Sequence, residues 1–282
     1  MHASADQSSP WTPEALAAFW RDGFIVARQL LSPAEVAEVR EAFMAQAKDG
    51  PVEGLSETRH GASPYDPGDP LARYPRMMHP HRHPELPVGQ LALRYLLDPR
   101  FQPRLRALFG GEEPFAVQTM FYFKPPGARG QDLHQDNFYL RVKPGTCLAA
   151  WIAVDDADEA NGGMLCVPET SNLEIACPEP ADPAKFFTTE HVEPPPGKSP
   201  VPVDLRAGDV LFFNGNVIHG SYPNTSRDRF RRSLICHYVP ASTVELAHWY
   251  ERPMSFDGAV HKIAVATGGG PCGSLQEAAR PH

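Results

Sequence analysis

Apolar and polar positions along the chain follow first a helical and then a strand period. Pro13 to Arg21 places Leu16, Phe19 and Trp20 on one side of a short predicted helix. Asp22-Gly23 breaks it, and Phe24-Ile25-Val26-Ala27 reads as a strand. Ser32-Pro33-Ala34-Glu35 is a helix start: Ser as N-cap, Pro at the first helical position, and Glu placed to bond back. That helix runs to about Lys48, with Val36, Val39 and Phe43 inward. Residues 49–85 are rich in Pro, Gly, His and Arg, show no period, and read as a long covering loop. Gln90 to Leu97 and Pro103 to Phe109 predict two helices separated by Asp98-Pro99.

From residue 115 the period becomes two. Phe115 to Lys124 alternates, with Gln118, Met120, Tyr122 and Lys124 on one face. Thr146 to Val154, Gly163 to Val167 and Val201 to Leu205 read as further strands. A tight turn at Arg206 to Asp209 leads into Val210 to Phe213, and Arg232 to Val239 forms the last long strand. Short strands with such turns point to an antiparallel sandwich or barrel. Residues 168–200 interrupt them with a second long loop, and loops of that length in a compact domain are usually functional lids or mobile segments. Residues 1–12 read as a disordered start, 13–264 as one domain with its barrel at about 115–240, and 265–282 as a loose Gly-rich tail.

The 282 residues suffice for a sizeable core, and 22 glycines with 31 prolines favour a turn-rich β architecture. A net charge of -8 argues against nucleic acid or an anionic membrane as partner. No apolar run reaches the roughly 20 residues of a membrane span. The five cysteines form no C-x-x-C and follow no leader-like stretch, so a reduced, cytoplasmic setting is expected, for a monomer or homodimer.

Candidate chemistry centres on Asp132-Leu133-His134-Gln135-Asp136-Asn137 and on His219, 85 residues after His134. In an extended segment His134 and Asp136 point the same way while Gln135 faces away. With His219 from another strand they can cap one face of an octahedral metal, a donor set that suits Fe(II). Among 12 histidines a chance pairing is easy, so this spacing alone is weak. His79, His81 and His83 alternate as well. Their interrupting prolines and the lack of a carboxylate pattern favour a solvated or substrate-facing loop over a metal site.

Three positions left open on iron would accept a chelating 2-oxo acid and O2. The distal carboxylate of that acid needs a buried cation, preferably arginine. Arg231 and Arg232 lie next to each other after His219. They face opposite ways on a strand, and periodicity does not choose between them. Ser233, Ile235 and His237 share the face of Arg231.

Several motifs occur together in order: Lys124-Pro125-Pro126-Gly127, His134-Gln135-Asp136-Asn137, Trp151 to Asp156, Asn161-Gly162-Gly163, Ala207 to Val210 and His219-Gly220-Ser221. In these the chain, over roughly residues 13–240, resembles the phytanoyl-CoA dioxygenase family of Fe(II)/2-oxoglutarate oxygenases. The resemblance implies a mainly β fold with flanking helices around a double-stranded β-helix, a cupin-like jelly roll. It implies iron at His134, Asp136 and His219. It implies 2-oxoglutarate at Arg231 and Ser221, beside Gln118, Met120 and Trp151. Two departures stand out. One extra residue separates His219 from Arg231, leaving Arg232 as a competitor, and Pro168-Glu169-Thr170-Ser171 replaces the more usual Pro-Gly-Ser-His.

Relatives that halogenate carry a small residue where Asp136 stands. Hydroxylation of a small-molecule metabolite is therefore expected, with desaturation or ring closure as other outcomes of the same chemistry. A catalytically silent binding protein is the rival from another class. Candidate substrate contacts are Tyr122, Lys124, Asn137, Phe138, Tyr139 and Arg141, under loops 49–85 and 168–200.

Overall fold

The computed structural model describes residues 10–57 and 65–267. The first nine residues, and most of the expected tail, lie outside them. In chain order the elements are α1 (Pro13–Asp22), β1 (Phe24–Ala27), α2 (Pro33–Lys48), α3 (Pro70–Arg73), β2 (Met77–Met78), α4 (Pro87–Leu96), α5 (Gln102–Leu108) and β3 (Pro114–Tyr122). There follow β4 (Gln131–His134), α6 (Asp136–Leu140), β5 (Leu148–Ala153), β6 (Met164–Cys166), β7 (Glu179–Pro180), β8 (Glu190–His191), β9 (Val201–Val203), β10 (Val210–Asn214), β11 (His219–Ser221) and β12 (Ser233–Pro240).

Two sheets face each other, in the orders β1-β10-β5-β12-β3-β2 and β4-β11-β6-β9. Strands β3 to β6, and again β9 to β12, alternate between the two sheets, with β7 and β8 in a separate ribbon, which is the path of a jelly roll. Strict alternation divides the larger sheet into two faces. Leu148, Ala150, Ile152, Phe212, Leu234, Cys236 and Tyr238 face outward and pack with the helices. Trp151, Leu211, Phe213 and Ile235 face the smaller sheet. Between β12 and β3 the register shifts: His237 pairs with Gln118 but Tyr238 with Ala116. The extra residue, Val117, is a bulge that turns Ala116 to the outer face while Gln118 stays inward.

The helices form where the local chemistry directs. Ser32 and Glu35 make the reciprocal capping box at the start of α2, and Glu35 also pairs with Arg100. Val36, Val39 and Phe43 are buried, and Phe43 stacks on Phe121 with ring centroids 3.9 Å apart. Helix α1 ends on Gly23 at φ 86, where a Cβ would lie 2.3 Å from Val217.

Three expectations need correction. Trp20 is 53% exposed although Phe19 beside it is buried; neighbours on a helix are about 100° apart, and the stripe covered here is narrow. Trp11, placed in the disordered start, packs edge-on against Phe212 and donates to the Arg104 carbonyl. Cys177 is disulfide-bonded, against the fully reduced setting expected.

Phe43→Ala should cost about 3–5 kcal/mol of unfolding free energy, because it opens a cavity between helix and sheet. Urea unfolding followed by circular dichroism measures it, and a loss below about 1 kcal/mol would contradict this packing.

Candidate active site

Strand β11 lies between β4 and β6, with His219 opposite His134 on one side and Cys166 on the other. Strand β4 ends at His134. Gln135 is still extended, at φ -125 and ψ 122, and Asp136 opens the short helix α6. The carboxylate ligand thus stands on a helix rather than on the strand expected. One extended residue suffices to bring His134 and Asp136 to the same side.

The three side chains are buried, and their donor atoms lie within 4.8 Å of one another. His134 Nδ1 lies 2.7 Å from the Asp132 carbonyl and His219 Nδ1 2.9 Å from the Val217 carbonyl. A carbonyl only accepts, so each ring carries its proton on Nδ1 and turns an Nε2 lone pair inward. Both Nε2 atoms lie 3.5 Å from Asp136 Oδ1. Three acceptors facing one point in a buried site are reconciled by a cation, and two imidazoles with one carboxylate fit Fe(II). Burial, and then the neighbouring His219, hold His134 below the usual histidine range. That keeps the imidazole neutral, as a metal ligand must be.

His237 completes the arrangement. Its Nε2 lies 2.9 Å from Asp136 Oδ2, from the neighbouring strand β12. The second carboxylate oxygen is thereby occupied, and Oδ1 alone is turned to the metal position. The residues on the face of Arg231 in the sequence already included His237, three steps of the strand period further on. That alternation was the signal for its role. Gln131, at 3.2 Å from His134 Nε2, was also missed.

A cavity opens from these ligands. Met120, Tyr122, Trp151, Met164, Phe213, Ser221, Arg231 and Ile235 belong to its lining. Arg231 is 2% exposed and donates to the Gly162 carbonyl and to Ser233, with its guanidinium 5.3 Å from the Trp151 ring centre. Among the described residues it has no carboxylate partner. Burial draws its pKa down to about 10, which leaves it charged at neutral pH. Arg232 instead makes two bonds to Asp155 on the far side. The strand period thus puts Arg231 in the cavity and commits Arg232 to an ion pair.

A family model for phytanoyl-CoA dioxygenase matches residues 19–233. The chain belongs to the phytanoyl-CoA dioxygenase family. Phytanoyl-CoA dioxygenase 1 of Oryza sativa subsp. japonica is 29% identical, over 50% of this chain and 51% of its own. The chain thus spans about half the length of that relative. A domain-containing homologue from Caenorhabditis briggsae is 27% identical over 80% of this chain and 90% of its own. The crystal structure of EctD from S. alaskensis with 2-oxoglutarate and 5-hydroxyectoine shares the fold. Its TM-score is 0.65 at 21% identity, over 89% of this chain and 82% of that one.

The other sequence candidates of this family member separate. Gln118 is fully buried beside His237 in register. Tyr122 lines the cavity, and its hydroxyl accepts from Arg76 at 2.8 Å. Tyr139 stands with its ring 6.4 Å from that of His134 and packs edge-on against Phe138. Asn137 is spent on the local loop, accepting from Val142 N–H and donating to Gly145. Arg141 ends α6 in a left-handed conformation. Lys124 is not part of the cavity lining and donates to Ser221.

Of the alternating histidines, His79 and His81 are not solvated, while His83 is half-buried beside Glu85. His79 is buried, and His81 bonds Thr119 on β3. Burial drives the His81 pKa down to about 3. None of the three belongs to the cavity lining. The loops 49–85 and 168–200 meet over Tyr122. Arg76 pairs with Glu57, which also accepts from Tyr65, and the Phe187 ring lies 5.4 Å from the Arg76 guanidinium. Arg129 ties both loops down, pairing with Asp69 and donating to the carbonyls of Pro183 and Phe186.

Titration with Mn(II), followed by calorimetry, checks the site without turnover. Asp136→Ala should abolish binding, and His237→Phe should weaken it by about 10- to 100-fold, as expected when a ligand loses its orienting partner. Unchanged affinity in Asp136→Ala would exclude the triad as the metal site.

Proposed function

We propose that the protein is an Fe(II)- and 2-oxoglutarate-dependent dioxygenase that hydroxylates a C–H bond of a small polar or amphipathic metabolite. In that reaction substrate, 2-oxoglutarate and O2 give hydroxylated product, succinate and CO2. The observation that carries the reading is the pairing of three inward-facing acceptors with a buried, carboxylate-free Arg231 in one cavity. The family membership supports it.

Iron, when bound, would supply O2 activation coupled to decarboxylation of the 2-oxo acid. The residues of the chain do the rest. Arg231 and Ser221 hold the distal carboxylate of the co-substrate. Trp151, Met120, Met164 and Ile235 keep that end of the cavity apolar and exclude water. Tyr122 and Tyr139 stand toward the mouth, where the substrate is admitted under the two loops. The acidic net charge gives little support for a CoA thioester, whose phosphates would want a basic entrance. Asp136 fills the position that a halide would need, so oxygen insertion is favoured over halogenation, with desaturation or ring closure as related outcomes.

Incubation with Fe(II), 2-oxoglutarate and a panel of metabolites, with succinate quantified, tests the reading. Succinate formation should depend on a member of the panel, and Arg231→Ala should raise the KM for 2-oxoglutarate by about 100-fold or more, as for a lost charged pair. Metal retention without succinate across the panel would favour a silent binding protein. Turnover indifferent to Arg231→Ala would point to a metalloenzyme that uses no oxo acid.

A further inference from the structure

The reading above gives Lys124 no role. Lys124 is 2% exposed and, among the described residues, meets no carboxylate. Nζ donates to Ser221 Oγ at 2.7 Å and to the Tyr222 carbonyl at 2.6 Å. The backbone at Lys124 takes φ 35, a conformation uncommon outside glycine. Gly162 makes room for the chain: a Cβ there would lie 2.3 Å from Lys124 Cδ and 3.3 Å from Nζ. The same Gly162 presents its carbonyl to Arg231. Two basic side chains thus meet at one glycine. Burial, and then Arg231, push the lysine well below its usual pKa. The buried Arg231, charged and without a carboxylate partner among the described residues, calls for an anion nearby.

Ser221 supplies the link. Its Oγ accepts from Lys124 and also, at 3.3 Å, from the backbone N–H of Gln131. A hydroxyl has two acceptor sites and one hydrogen. With both acceptor sites taken, Ser221 can only donate, and it lines the cavity together with Arg231. We propose that Lys124 is a positioning residue that fixes Ser221 as an obligate donor to the distal carboxylate. The proposal rests on the co-substrate reading of the cavity and adds to it a residue that acts through Ser221.

The test titrates Mn(II)-loaded protein with N-oxalylglycine, a non-reacting dicarboxylate analogue, and with pyruvate, which lacks the distal carboxylate. Lys124→Met and Ser221→Ala should each weaken N-oxalylglycine by about tenfold, as for a hydrogen bond to a charged group. The double variant should fall within about twofold of either single one, because the lysine acts through the serine. Pyruvate and Mn(II) affinities should not move. In turnover the KM for 2-oxoglutarate should rise while the KM for the primary substrate stays. A purely structural lysine would instead weaken both ligands alike, or give additive losses, and either result overturns the proposal. Should Lys124→Met not fold, Gly162→Ala displaces the amine while keeping its charge, and must then reproduce the loss seen in Ser221→Ala. If Arg231→Ala abolishes N-oxalylglycine binding while the Lys124 and Ser221 variants bind it normally, this inference alone falls. If Arg231→Ala has no effect, the co-substrate reading itself falls.

Discussion

The antiparallel pairing of β11 with β4 is the constraint on which the site depends. It sets His219 opposite His134 across 85 residues of chain, and a slip of one residue in β11 would turn the His219 ring to the other face, away from His134. The register does not run on evenly. Ser221 pairs with Gln131, one step beyond regular spacing. That irregularity brings the Gln131 amide onto the Ser221 hydroxyl. Between them Gly220 comes so close to β4 that a Cβ would lie 2.8 Å from the Gln131 carbonyl. The two triad histidines and Ser221, the proposed co-substrate contact, thus share a single strand pair, and a glycine lets the strands approach.

The larger sheet converts alternation into a division of labour. Its outer face is apolar and held by the helices. Its inner face mixes Ile235 and Trp151 with Ser233, His237 and Gln118. Polar groups in such an interior must be paired. Here the pairs run inward to functional groups: His237 to Asp136, and Ser233 to Arg231. A core position on β12 is thus fixed as much by hydrogen bonding as by volume.

Much of this was legible in the sequence. Strand alternation put Gln118, Met120 and Tyr122 on one face, and Ser32 with Glu35 marked the start of α2 by local chemistry alone. The H-x-D spacing located the ligand pair, because one extended residue is a local property. What depends on distant partners was less legible. Periodicity could not choose between Arg231 and Arg232, since only Asp155 across the sheet commits the second. Nor could it tell that the histidines at 79 and 81 pack against Thr119 on β3, because a run broken by prolines carries no period to read. The helix at Asp136 was hidden for a related reason. At five residues, α6 is too short to show a periodic pattern.

Arg129 has a mechanical consequence. One guanidinium is bonded to Asp69 in the first covering loop and to two carbonyls of the second. It also lies two residues before β4, the strand that carries His134. Lifting either loop therefore breaks bonds to an anchor that the other shares, so displacement of one covering loop is felt by its neighbour through this guanidinium.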